Sequence, residues 1–134
     1  MSFVVYKSSA GSGKTYALVK EYLKISVQAK SDSRYKNILA ITFTNKAAAE
    51  MKARVIDALI AISVSSKPEG AAYYLLQDLK NELQLPEPVI RLKCEAVLRS
   101  MLHNYSDVAI STIDKFVHKV LRTFAFDLQV PFNF

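Results

Sequence analysis

An α/β fold is predicted: a short parallel sheet flanked by helices, with a helical insertion between its second and third strands. Two observations predict it. Short apolar runs alternate with longer stretches in which apolar residues recur every three or four positions, the pattern of strands alternating with amphipathic helices. Each of the three apolar runs also ends in a polar segment, where sheets of this kind bind their ligands.

The first strand is Ser2–Lys7, built on Phe3-Val4-Val5-Tyr6. A helix from about Lys14 to Gln28 follows, with Leu18, Val19, Tyr22 and Leu23 on one face. Ala29–Lys36 is polar and reads as a loop. Asn37–Phe43, carrying Ile38-Leu39-Ala40-Ile41, is the second strand. From about Lys46 to Ile62 a helix repeats Ala48, Met51, Val55, Leu59 and Ile62 at helical steps, and Ser63–Pro68 breaks it.

Two further helices are expected within the insertion, residues 63–104. One runs from about Pro68 to Leu83 on Ala72, Leu75, Leu76, Leu79 and Leu83. The other runs from about Pro88 to His103 on Ile90, Cys94, Val97, Leu98 and Met101. The prolines of Leu85-Pro86-Glu87-Pro88 end one helix and begin the next. Asp107–Ser111 is the third strand. The last helix, about Thr112 to Leu128, is expected to turn Val117, Val120, Leu121, Phe124 and Leu128 inward. Phe124-Ala125-Phe126-Asp127 continues that helical stripe and is not a strand.

The segment after the first strand reads Ser8-Ser9-Ala10-Gly11-Ser12-Gly13-Lys14-Thr15. A strand, a loop of small residues and Gly-Lys-Thr opening a helix make a phosphate-binding loop, so a nucleotide is the first ligand to consider. Ser9, Ala10, Gly11, Ser12 and Gly13 leave room for backbone N–H groups to curl round phosphate oxygens. The helix start turns its positive end to the same anion. Lys14 would reach the β- and γ-phosphates of ATP, and the Thr15 hydroxyl would take a place on Mg²⁺. Ser8 stands where the usual pattern has glycine. The plain alternative is a Gly/Ser turn between strand and helix.

Composition bounds the rest. The chain has 134 residues, one small domain's worth, and 51% are hydrophobic, enough for a core. No run approaches the roughly 20 apolar residues of a membrane span, and the start has no signal-peptide pattern. One cysteine, Cys94, allows no internal disulfide and fits a reducing cytoplasm; its spacing places it in a core. The net charge of +6 favours a polyanionic partner.

The segment Ile41-Thr42-Phe43-Thr44-Asn45-Lys46-Ala47-Ala48-Ala49-Glu50-Met51 resembles, nearly letter for letter, the second motif of superfamily 1 DNA helicases of the UvrD/Rep/PcrA type. The resemblance implies a partial RecA-like P-loop NTPase domain as the fold. In these helicases the motif touches single-stranded DNA. Carried over, Phe43 stacks on a base, Thr44 and Asn45 hold the backbone, and Lys46 adds charge towards phosphate. An aromatic side chain at a strand end is a sequence-tolerant platform for bases. The alternatives are that Phe43 is core and that Thr44 or Asn45 caps the following helix.

Ile110-Ser111-Thr112-Ile113-Asp114-Lys115-Phe116, followed by Val120-Leu121-Arg122, is similar to the next motif of the family, which also contacts DNA. Asp114 replaces its histidine, and an anion is a poor neighbour for phosphate. Thr112 and Lys115 remain the candidates for DNA contact. Ser111-x-x-Asp114 also reads as an acidic capping box, with Ser111 capping the helix and Asp114 answering back. All three polar segments are expected along one rim. His103 and His118 are assigned no role.

The first strand stands almost at the start, with no adenine-reading glutamine motif before it, and a long helical stretch separates the second and third motifs. Both traits look like the RecB/AddA branch of helicase–exonucleases. Tyr16 stands where that branch carries an aromatic, which would bring it near the nucleotide base; the alternative is a partly exposed helix residue.

The resemblance therefore implies the N-terminal part of an ATP-dependent DNA helicase or helicase–exonuclease of DNA repair and recombination. Its implied cofactors are ATP and Mg²⁺. Its implied partners are single-stranded DNA and DNA ends, the remaining domains of a longer protein, and a second helicase–nuclease subunit. No membrane is implied, and the location is cytoplasmic. A motor needs an Asp-Glu pair for Mg²⁺ and the attacking water, and no two acidic residues are adjacent in this chain. The 134 residues are thus read as residues 1–134 of a first motor domain, able to hold nucleotide but hydrolysing it negligibly. The competing classes are a non-catalytic DNA-binding or partner-docking module and a small P-loop phosphotransferase.

Overall fold

The computed structural model describes residues 12–64 and 67–128, with side chains from residue 15 onward. The predicted first strand and phosphate-loop residues Ser8, Ser9, Ala10 and Gly11 lie outside the described residues, as do the side chains of Ser12 and Lys14.

Helix α1 spans Ser12–Gln28, two residues earlier than predicted. It buries Val19, Tyr22, Leu23 and Val27. The expected loop after it contains a 3₁₀ turn, Arg34–Asn37. Tyr35 drives that turn inward: its ring is fully buried and its hydroxyl lies 3.0 Å from Ser100 Oγ. Strand β1 is shorter than its apolar run, only Ala40–Thr42. Helix α2, Asn45–Val64, buries Ala48, Met51, Val55, Leu59 and Ile62, the predicted stripe. It runs past the expected break at Ser63. Arg91 closes its end, donating from Nη1 to the Ile62 carbonyl (3.0 Å) while its Nε bonds Glu87 (3.0 Å).

Helix α3, Ala71–Leu83, starts after Gly70. That residue sits at φ +62°, a conformation that favours glycine. Leu75, Leu76 and Leu79 face inward, while Tyr73 and Tyr74 stand exposed, edge to face at 5.4 Å. Helix α4, Glu87–His103, begins with proline in its first turn and buries the five residues its spacing predicts. Cys94 is among them; burial pushes its thiol up to about 12, which makes it an inert core residue. A 3₁₀ turn, Tyr105–Asp107, leads to strand β2, Ile110–Thr112, and then to helix α5, Ile113–Asp127.

β1 and β2 pair in parallel, with Ala40 opposite Ile110 and Thr42 opposite Thr112. Parallel neighbours need a long crossover, and α2, α3 and α4 supply it. The described sheet has only these two strands, and most of the core lies among α1–α4. The α3 and α4 residues share that core with α1 and α2, so the helices between the strands are not an appendage.

Helix α5 corrects the sequence reading. None of its residues is buried: Val117, Leu121, Phe124 and Leu128 are exposed and Val120 is half-buried. Its amphipathic spacing is present, but Val120 and Phe124 line an open cleft with Ile38, Leu39 and Val108 and are not buried in a core. Among the described residues no helix is long and apolar enough to cross a membrane.

Candidate nucleotide and nucleic-acid site

The carboxyl ends of the two strands carry the residues that the sequence singles out for DNA contact. Because Thr42 lies opposite Thr112, the Phe43–Lys46 segment and the Ile113–Lys115 segment leave the sheet side by side. The Thr42 hydroxyl donates to the Thr44 carbonyl at 3.1 Å, with a longer approach, 3.5 Å, to the Ser111 carbonyl. These contacts tie the two strand ends together.

Phe43 is 84% exposed, so it is not core. A bare phenyl ring at a strand end costs the chain apolar burial and offers a flat face to a ligand. Thr44 caps α2: its Oγ1 accepts from the Ala47 N–H at 3.0 Å and its carbonyl accepts from the Ala48 N–H at 3.0 Å. The cap occupies one lone pair and leaves the hydroxyl proton free to donate. Asn45 and Lys46, in the first turn, are exposed.

On the neighbouring strand Thr112 is buried, 5% exposed, and caps α5; its Oγ1 accepts from the Lys115 N–H at 3.3 Å. The predicted capping box is therefore displaced by one residue. Extended backbone continues through Thr112 (φ −79°, ψ 159°), so the helix starts one position later. Ser111 stays in the strand and Asp114 is exposed in the first turn. The exposed Lys115 lines a cleft of about 710 Å³ together with Lys36, Lys119, Phe116 and Phe124. Lys36 is partly neutralised there by Asp107 at 3.5 Å.

The spacing of the sequence did not reveal an aromatic–cation pair at the turn that leads into β2. Lys52 Nζ stands 3.8 Å above the half-exposed Tyr105 ring. Burial lowers the affinity of that amine for its proton. The two residues meet only because α2 and the second 3₁₀ turn fold together.

The start of α1 stands elsewhere. Thr15 and Tyr16 are half-buried. Tyr16 lines a cleft of about 390 Å³ with Arg54, Asp57, Ala58 and Ala61 of α2. Thr44 caps the opposite end of that helix, and the ten or more intervening residues span roughly 15–20 Å. Loop residues 8–11, the remaining part of the expected shared rim, lie outside the described residues.

Tyr16 does not project freely. Its hydroxyl donates to Asp78 Oδ2 of α3 at 2.5 Å. Burial, then this bond, raise the phenol's affinity for its proton, so it remains a donor. Among the described residues no three His, Cys, Asp or Glu side chains stand together as a metal site.

The comparisons with known proteins agree with the sequence motifs. The profile of the UvrD/REP helicase N-terminal domain family matches residues 2–134. The chain is similar to an ATP-dependent helicase/nuclease subunit of Lactobacillus acidophilus, at 30% identity over 98% of this chain and 8% of the relative. It is similar to the RecB subunit of the RecBCD enzyme of Haemophilus influenzae, at 29% over 95% of this chain and 11% of the relative. It is also similar to the ATP-dependent DNA helicase Rep of Buchnera aphidicola, at 36% over 58% of this chain and 12% of the relative. The chain thus spans about a tenth of the length of the relatives it matches. No solved structure matches it significantly. With its Gly-Lys-Thr helix start, its Thr-Phe-Thr-Asn-Lys strand end and a profile match over nearly its whole length, the chain belongs to the UvrD/REP helicase N-terminal domain family.

Proposed function

We propose that this chain is the ATP-binding and single-stranded-DNA-contacting part of an ATP-dependent DNA helicase, of the helicase–exonuclease kind that works on DNA ends in repair and recombination. The observation that carries the DNA half is the Thr42–Thr112 register, which brings together the strand ends that lead into the bare Phe43 and the exposed Lys115. Phe43 supplies a stacking face for a base. Asn45 and the Thr44 hydroxyl proton hold the sugar–phosphate backbone, and Lys46 and Lys115 neutralise it. Thr112, buried and engaged as a cap, supports the strand end and does not itself reach DNA.

The nucleotide half rests on the sequence of the loop and on family membership. Ser9, Ala10, Gly11, Ser12 and Gly13 supply backbone N–H groups, Lys14 charge and Thr15 a hydroxyl for the ATP phosphates and Mg²⁺. When bound, the ion offsets negative charge on the phosphates. Further domains, a nuclease and a second protein subunit belong to the same proposal and are supported by the names of the relatives alone.

The division of labour is testable on the chain itself. With no adjacent acidic pair in the sequence, the 134-residue protein is expected to bind a non-hydrolysable ATP analogue by calorimetry. Its ATP turnover is expected to stay at background, with or without single-stranded DNA. Robust DNA-stimulated phosphate release would show that the chain carries its own hydrolytic acid, and that reading would fall.

A further inference from the structure

Tyr16, Lys20 and Lys24 lie one turn apart on α1 and form a stripe facing α3. Asp78 and Glu82 form the answering stripe on α3. The Tyr16 hydroxyl bonds Asp78 at 2.5 Å, and Lys20 and Lys24 approach Glu82 at 3.4 and 3.8 Å. The two lysine pairs are partly exposed, so solvent screens them and they contribute little. The Tyr16–Asp78 bond is short, charge-assisted and partly buried, which makes it the strong member of the row. Beneath it Val19 and Leu23 belong to the same core as Leu75 and Leu79.

Tyr16 directly follows Thr15, so about 1.5 Å of helix rise separates this tether from the residue that faces Mg²⁺. The first turn of a helix has unpaired N–H groups and frays easily. Tyr16, the fifth residue of α1, anchors the helix just past that turn, and a tether there sets how often the turn is formed when ATP arrives. We propose that Asp78 is a positioning residue for the nucleotide site: by holding the Tyr16 hydroxyl it fixes the first turn of α1, so that α3, a helix of the crossover, sets where Lys14 and Thr15 stand. This rests on the nucleotide reading above. The mechanism is a population effect. Apparent affinity falls in proportion to the fraction of chains whose first turn is formed.

The test is calorimetry of a non-hydrolysable ATP analogue with Mg²⁺ on the 134-residue chain, with melting followed in parallel. Tyr16→Phe keeps the ring and removes the donor; Asp78→Ala removes the acceptor. Each is expected to weaken binding about threefold to tenfold. The double variant should be no weaker than either single one. Asp78→Asn retains a carbonyl acceptor and should recover most of the loss, which a general loss of packing would not show. Single-stranded DNA affinity should stay unchanged in all four.

Equal affinities in all variants, additive losses, or a loss confined to Tyr16→Phe would overturn the proposal. If the unaltered chain and Lys14→Ala both fail to bind, the nucleotide reading itself falls and the positioning role falls with it. If the unaltered chain binds, Lys14→Ala does not, and the Asp78 variants bind normally, only the positioning role falls.

Discussion

Replacing Lys14 by alanine is expected to remove measurable nucleotide binding. The ammonium is the one full positive charge that the loop itself brings to the phosphates, and the helix dipole and backbone N–H groups supply only partial charges. Charge-assisted bonds of this kind contribute about 1.5–3 kcal/mol each. Losing contact with two phosphates therefore weakens binding by about a hundredfold or more. Calorimetry with the ATP analogue and Mg²⁺ reads this directly. The same variant should bind single-stranded DNA as the unaltered chain does, because Lys14 belongs to none of the segments proposed to touch DNA. An unchanged ATP affinity would leave Ser8–Thr15 as an ordinary turn. DNA binding that survived beside it would point to a non-catalytic DNA-binding module.

Replacing Phe43 by alanine is the second large effect, and its size differs between two measurements. The ring is 84% exposed, so the fold gains little from it, and stability should change by no more than about 0.5 kcal/mol. A stacked base loses about 1–3 kcal/mol, or roughly fivefold to 150-fold in affinity at fixed salt. Fluorescence anisotropy with a labelled oligothymidylate, beside a thermal melt, separates the two. A large fall in melting temperature with unchanged DNA affinity would mean that the ring packs against protein in solution.

The helices between the strands were the most legible part of the chain. In α2 and α4 every residue of the predicted stripes is buried, because both helices pack on neighbours that lie within the same stretch of chain. The α5 stripe was equally clear, yet it is exposed. Periodicity reports that a face is apolar, not that something covers it. The capping residue of α5 was missed by one position, since Ser111 and Thr112 are both competent caps and only the end of β2 chooses between them.

The Tyr16–Asp78 bond joins residues 62 positions apart, and no spacing rule reaches that far. Lys52 over Tyr105 is illegible for the same reason. Motif order along the chain does not say which way α1 runs against α2, so the neighbours of Tyr16 were not legible either. Phe43, Thr44, Asn45 and Lys46 could be picked out as candidates because they stand in four consecutive positions; what the sequence left open, whether Phe43 is core and which residue caps α2, the structure answers with an exposed ring and a Thr44 cap.

The central claim is that DNA meets the chain where β1 and β2 end. It is tested most directly by photocross-linking a single-stranded oligonucleotide carrying 5-iododeoxyuridine and mapping the adduct by mass spectrometry. The dominant adduct is expected on Phe43, with lesser ones within residues 42–46 and 113–115, and all should disappear when unlabelled single strand competes. Adducts confined to the α3–α4 surface, with none on residues 42–46, would contradict the claim.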